Sequence, residues 1–115
     1  MVQSDTDLFF AAVRDNRDAS KHINNIDISK TILTAYHKRQ SRALFYLLQN
    51  HKQDMSFIIN KIFILSCHQN NLLIAKDILD LAGEMLPRGE QYYAALDNSL
   101  DRGYKDITNL LQLHA

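Results

Sequence analysis

One cysteine, one proline, three glycines and no tryptophan occur in 115 residues, and each scarcity excludes something. Cys67 has no partner for an intrachain disulfide, so packing alone must hold the fold, and a chain of this size without staples fits a reducing, cytoplasmic compartment. Turn-forming residues are too few for an all-β protein, which leaves helices as the expected element. The residues from Met1 to Asp7 hold neither a basic nor an apolar stretch, so no secretory signal is legible there. Asn60, Lys61 and His68 interrupt the most apolar part of the chain, far short of the roughly 20 residues that a membrane span requires.

The groups that carry catalysis are also missing in their usual arrangements. Cys67 and His68 are sequence neighbours, about 100° apart on a helix, so they cannot form a nucleophile–base dyad, and Cys67 is expected to be a core thiol. His22, His37, His51, His68 and His114 show no H-x-x-x-H spacing, and a lone cysteine gives no C-x-x-C; no metal site is expected. Asp97 and Asp101 share a helix face but read as a solvated pair rather than an acid/base couple. No glycine-rich loop could cradle a phosphate. The chain therefore reads as a non-enzyme without a cofactor.

What is present is an ordinary globular composition, 46% apolar and 23% charged, enough for one core over residues 1–115. Apolar residues recur at helical spacing in six or seven segments. Ser4 should cap the first, with Asp7 three residues on, and Leu8 to Val13 supply its apolar face. Ile23 and Ile26 suggest a short helical stretch over 19–26. Ile32, Leu33, Ala35 and Tyr36 mark the next helix, and Ala43, Leu44, Leu47 and Leu48 the one after, capped by Ser41. Asp54 should cap a helix apolar nearly all round, from Phe57 to Cys67, expected to be the most buried. The following helix should stop at Gly83 in a left-handed conformation. Residues 84–90, with Pro87 and Gly89, read as loop; a helix over about 91–101 ends before Gly103, and a last one carries Ile107, Leu110, Leu111 and Leu113.

These segments repeat. Leu47-Leu48 is matched 31 residues later by Ile78-Leu79 and 32 further on by Leu110-Leu111, each pair preceded by a polar break at Arg39-Gln40, Asn70-Asn71 or Arg102-Gly103. The unit is helix, tight polar turn, helix. Thr34 to Arg39 leading to Leu47-Leu48, and Leu100 to Ile107 leading to Leu110-Leu111, resemble the ankyrin family, with residues 8–16 as a degenerate first copy. The resemblance covers about 85 residues, without a Thr-Pro-Leu-His signature and with too few residues at 50–54 for the family's β-hairpin. It implies an all-α fold of six or seven short helices in antiparallel pairs, an ankyrin-like array; a small helical bundle fits the same pattern.

Net charge is zero, but its distribution is uneven. Residues 1–20 hold four acids and two bases, 21–61 hold two acids and seven bases, and 62–115 hold seven acids and four bases. The positive centre gathers at one turn, in His37, Lys38, Arg39 and Arg42, next to Tyr36. Such a field orients an acidic partner. The expected role is protein binding, by a small regulator that docks on and restrains a partner protein with an acidic surface, through Tyr36, His37, Lys38, Arg39 and Arg42, helped by His68, Gln69 and Arg102 at other turns. Tyr36, Phe45, Tyr46, Tyr92, Tyr93 and Tyr104 are aromatic candidates for the same surface. A nucleic-acid regulator using the basic turns is the second reading, disfavoured by the acidic flanks and by a helix after the turn too apolar to enter a groove. A homodimer pairing positive centre with acidic ends is the third.

Overall fold

The computed structural model describes residues 4–51 and 55–115. Asp54, expected as a cap, lies outside the described residues. The fold is all-α: α1 (Asp5–Arg14), α2 (Ile28–His37), α3 (Ser41–His51), α4 (Ser56–His68), α5 (Leu72–Ala82), α6 (Glu90–Arg102) and α7 (Lys105–Leu113), with 3₁₀ segments at Ala19–Asn25 and Gly83–Met85. By its internal contacts the chain falls into two compact units, Met1–Met55 and Ser56–Ala115.

In the first unit α1 turns back into the 3₁₀ segment, α2 turns back into α3, and α3 lies against both α1 and α2. Ser4 caps α1 as expected, its Oγ accepting the Asp7 amide at 3.1 Å. Asp27 caps α2 by accepting the Lys30 amide at 3.2 Å. The core takes Phe9, Ile32, Leu47 and Leu48, each at most 1% exposed, with Phe9 edge-on to Tyr46 at 5.7 Å. Burying a side chain of this size contributes about 1.5–3 kcal/mol. Residues 19–25 are helical, but as a 3₁₀ helix: Asp18 accepts the Ser20 amide at 3.1 Å and starts a tight turn, and Ala19 alone of its residues is buried.

In the second unit α4 pairs with α5 and α6 with α7, while α4 also lies beside α6 and α5 beside α7. Asn60, near the start of α4, donates to Gln91 at the start of α6 at 3.0 Å, and Phe63 stacks on Tyr92 at 6.2 Å. The two helices therefore begin at the same end. The buried face of α4 is Ile59, Ile62, Phe63, Ser66 and Cys67, a regular i, i+3, i+4, i+7, i+8 stripe. The helix is not enveloped, contrary to its all-round apolarity: Phe57 is 80% exposed, and Ile64 and Leu65 are half-buried.

Four corners share one backbone geometry. Asn16, Arg39, Asn70 and Gly103 are the described residues with positive φ, at 57°, 57°, 55° and 71°. Immediately after each, an amide reaches back to a carbonyl five residues earlier: Arg17 to Ala12, Gln40 to Ala35, Asn71 to Ser66, and Tyr104 to Ser99, at 2.8–2.9 Å. The left-handed residues themselves donate to Val13, Tyr36, Cys67 and Leu100. This double bond is the Schellman motif, which satisfies carbonyls that a helix end leaves open. The accepting residue is small and buried each time: Ala12, Ala35, Ser66 and Ser99.

Gly83, expected to be left-handed, has φ −57° and ψ −35° and continues into the 3₁₀ segment. Its carbonyl accepts the Leu86 amide at 3.2 Å and Arg88 Nη1 at 3.2 Å, and the same Arg88 nitrogen reaches the Leu86 carbonyl at 2.7 Å. The stretch read from sequence as loop thus holds an anchoring side chain.

Candidate functional site

The turn between α2 and α3 is built by the Schellman bonds of Arg39 and Gln40, which fix where the flanking side chains emerge. His37, Lys38, Arg39 and Arg42 are all exposed. Tyr36 is not: it is 7% exposed and shares the buried face of α2 with Thr31, Ile32 and Ala35, its ring edge-on to His37 at 5.5 Å. The i, i+1, i+4, i+5 spacing that makes Ala35 a core residue also carries Tyr36 inward, so it leaves the surface set. Tyr92, 1% exposed, is likewise a core residue. Phe45 and Tyr93 are exposed, and Tyr46 and Tyr104 are half-buried.

Charge around this corner is one-sided. No acidic residue occurs between Asp27 and Asp54, a stretch that contains Lys30, Lys38, Arg39, Arg42 and Lys52. His37 and Lys38 lie at the C-terminus of α2, where the helix dipole favours cations. Arg42 lies in the first turn of α3, where the dipole disfavours a cation and the turn itself holds no acid. The ion pairs recorded among the described residues join Asp15 to Arg14 and to Arg17, and none includes the corner's cations.

In the second unit His68 and Gln69 are exposed at the α4–α5 turn and Arg102 is exposed at the end of α6. Because α4 and α6 begin together and run alongside, these three emerge at one end of that unit. Arg102 is tied back, its Nε donating to Asn98 Oδ1 at 3.0 Å.

A feature the sequence did not reveal lies beside Arg42. A shallow groove of about 380 Å³ is lined by Val13, Asn16, Arg17 and Ala19 on one side and by Arg42, Phe45, Tyr46 and Gln49 of α3 on the other. Arg17 Nη2 stands 3.3 Å from Asp15 Oδ2. The four α3 residues are spaced i, i+3, i+4, i+7, the pattern of one helix face. That spacing was legible; what hid the groove was the fold of residues 13–19 against α3.

The one thiol is inert. Cys67 is 1% exposed, and burial pushes its pKa up to about 12, so it is protonated at neutral pH. No cluster of three or more metal-ligating side chains occurs among the described residues, and no helix among them is long and apolar enough to cross a membrane. Compared with known proteins, the chain matches no family model, no curated protein and no solved structure.

Proposed function

We propose that the chain is a non-enzymatic protein-binding module, an ankyrin-like set of helical hairpins that docks on and restrains a partner protein with an acidic surface. The single observation that carries this reading is Arg42. A cation in a first helical turn that holds no acid works against the helix it sits on, and here it joins three more basic side chains on an exposed corner. The placement of Arg42 costs folding energy and is accounted for by a ligand of opposite charge. The buried, protonated state of Cys67 supports a non-enzymatic role, since it removes the chain's one thiol from nucleophilic chemistry.

The test is a comparison of wild type with a chain carrying Lys38→Ala, Arg39→Ala and Arg42→Ala together, each tagged and recovered from the native cell with and without nuclease. A partner protein held by wild type, resistant to nuclease and lost with the triple variant, is the expected result. Retention of the same partner by the variant overturns the reading. Loss on nuclease treatment, with steep weakening between low and physiological salt, would transfer the corner to a nucleic acid.

A further inference from the structure

One face of α6 is exposed. Tyr93, Asp97, Leu100 and Asp101 recur at i, i+4, i+7, i+8, and Tyr93 and Leu100 are 46% and 53% exposed. The opposite side of the helix, with Tyr92, Ala95 and Ser99, is buried, so this stripe is held outward. Asp97 and Asp101 are like charges one turn apart, a destabilising arrangement, and enter no ion pair among the described residues. The nearest base in sequence, Arg102, is engaged by Asn98.

The groove of the first unit has the opposite character. Arg17 and Arg42 stand at its rim, and Phe45, 41% exposed, and Tyr46 line it. The two units differ in the same sense: Met1–Met55 carries eight bases and six acids, Ser56–Ala115 five bases and seven acids. Two carboxylates flanked by an aromatic and an aliphatic side chain thus match two guanidiniums flanked by two aromatic rings, with Arg17 exchanging its exposed pair with Asp15, a weak surface contact, for the incoming carboxylate.

We propose that this groove receives α6 of a second copy of the chain, Asp97 and Asp101 pairing with Arg42 and Arg17 while Tyr93 and Leu100 cover Phe45 and Tyr46. Groove and stripe are different surfaces, so the contact is heterologous: the stripe of one copy meets the groove of another. The contact goes beyond the docking reading above: it shares Arg42 with that reading but uses neither Lys38 nor Arg39, and stands even if those two bind nothing.

Sedimentation velocity over a wide concentration range, at low and high salt, tests it. Wild type is expected to shift from monomer to dimer with concentration, less so at high salt. Asp97→Lys with Asp101→Lys, or Arg17→Glu with Arg42→Glu, should each weaken self-association by at least about tenfold, because like charges then face each other. All four substitutions in one chain should restore it. Leu100→Ser, which changes no charge, should weaken it as well, and Lys38→Ala with Arg39→Ala should leave it unchanged, which separates this contact from partner docking. A wild type that stays monomeric throughout, a dimer indifferent to both reversals, or a fourfold variant that fails to recover overturns the proposal.

Discussion

Arg88 stands over the ring of Tyr92, its guanidinium carbon 5.0 Å from the ring centroid, and from there both residues close the end of α7. Arg88 Nε donates to the His114 carbonyl at 2.7 Å, and the Tyr92 hydroxyl donates to the Leu111 carbonyl. Carbonyls at a helix C-terminus lack partners within the helix, and here side chains from the start of α6 and the loop before it supply them.

The Arg88→Ala variant should therefore lose about 2–3 kcal/mol, because carbonyls of Gly83, Leu86 and His114 lose a charged donor at once. Tyr92→Phe should lose about 1 kcal/mol, since only the Leu111 bond goes while the ring still stacks on Phe63. Urea unfolding followed by circular dichroism measures both, and equal losses would contradict this division of roles.

The left-handed corners give a pair of opposite expectations. Arg39 holds φ 57° with a Cβ, a conformation that costs a non-glycine residue about 1–2 kcal/mol, so Arg39→Gly should be neutral or stabilising by up to about 1 kcal/mol. Gly103→Ala should destabilise by about 1 kcal/mol through the backbone alone, because an added Cβ meets no atom within 4 Å. Thermal melts of the two variants should move in different directions. Arg39→Gly also removes one corner charge without loosening the turn, which makes it a clean probe of partner binding.

Cys67 predicts an alkaline transition. Its pKa in the folded chain is raised to about 12 from an ordinary value of 9.0, so the folded state prefers the protonated thiol. The stability this contributes is complete below pH 9, where both states keep the proton, and is lost as pH rises from 9 toward 12. Tyr92 shifts in the same direction for the same reason, its burial, and adds to the loss. Cys67→Ala should flatten the fall above pH 9 while lowering stability at neutral pH through the cavity it leaves. In the native protein a thiol reagent should react only at the rate of opening.

Small residues at the corner acceptors should resist enlargement. Ser99 is fully buried, with its hydroxyl 2.8 Å from Thr108 Oγ1 and 2.7 Å from the Leu96 carbonyl. Ala35→Leu and Ser99→Leu should each cost about 1–3 kcal/mol by overpacking. Exchanging Ala35 for Ser should cost less, since Ser66 and Ser99 show how a hydroxyl at this place bonds a carbonyl three residues earlier.

Helices were legible wherever apolar spacing was strong: the expected segments around Ile32, Leu47, Ile78 and Ile107 became α2, α3, α5 and α7. Corners were legible only in part. Gly103 was expected only to stop its helix and does so in the left-handed conformation, and Asn16 and Asn70 are residue types that tolerate it, whereas Arg39 is not, and the glycine expected to adopt it, Gly83, does not. In that last case the chain continues past Gly83 as a 3₁₀ turn, its carbonyl accepting the Leu86 amide, a continuation that apolar spacing does not disclose. Of the expected surface residues, those on polar turns emerged as read, while Tyr36 and Tyr92 turned inward because each lies on the core-facing stripe of its helix. The groove needed two segments brought together and was invisible to spacing alone.

Every Schellman corner is closed by amides and carbonyls, with the small acceptor as the one demand on side-chain size. The intervening positions, held by Arg14 and Asp15, His37 and Lys38, His68 and Gln69, and Asp101 and Arg102, are exposed and free of that demand. Substitution there can rewrite the charge and shape that the corners offer to solvent while the backbone frame that aims them persists.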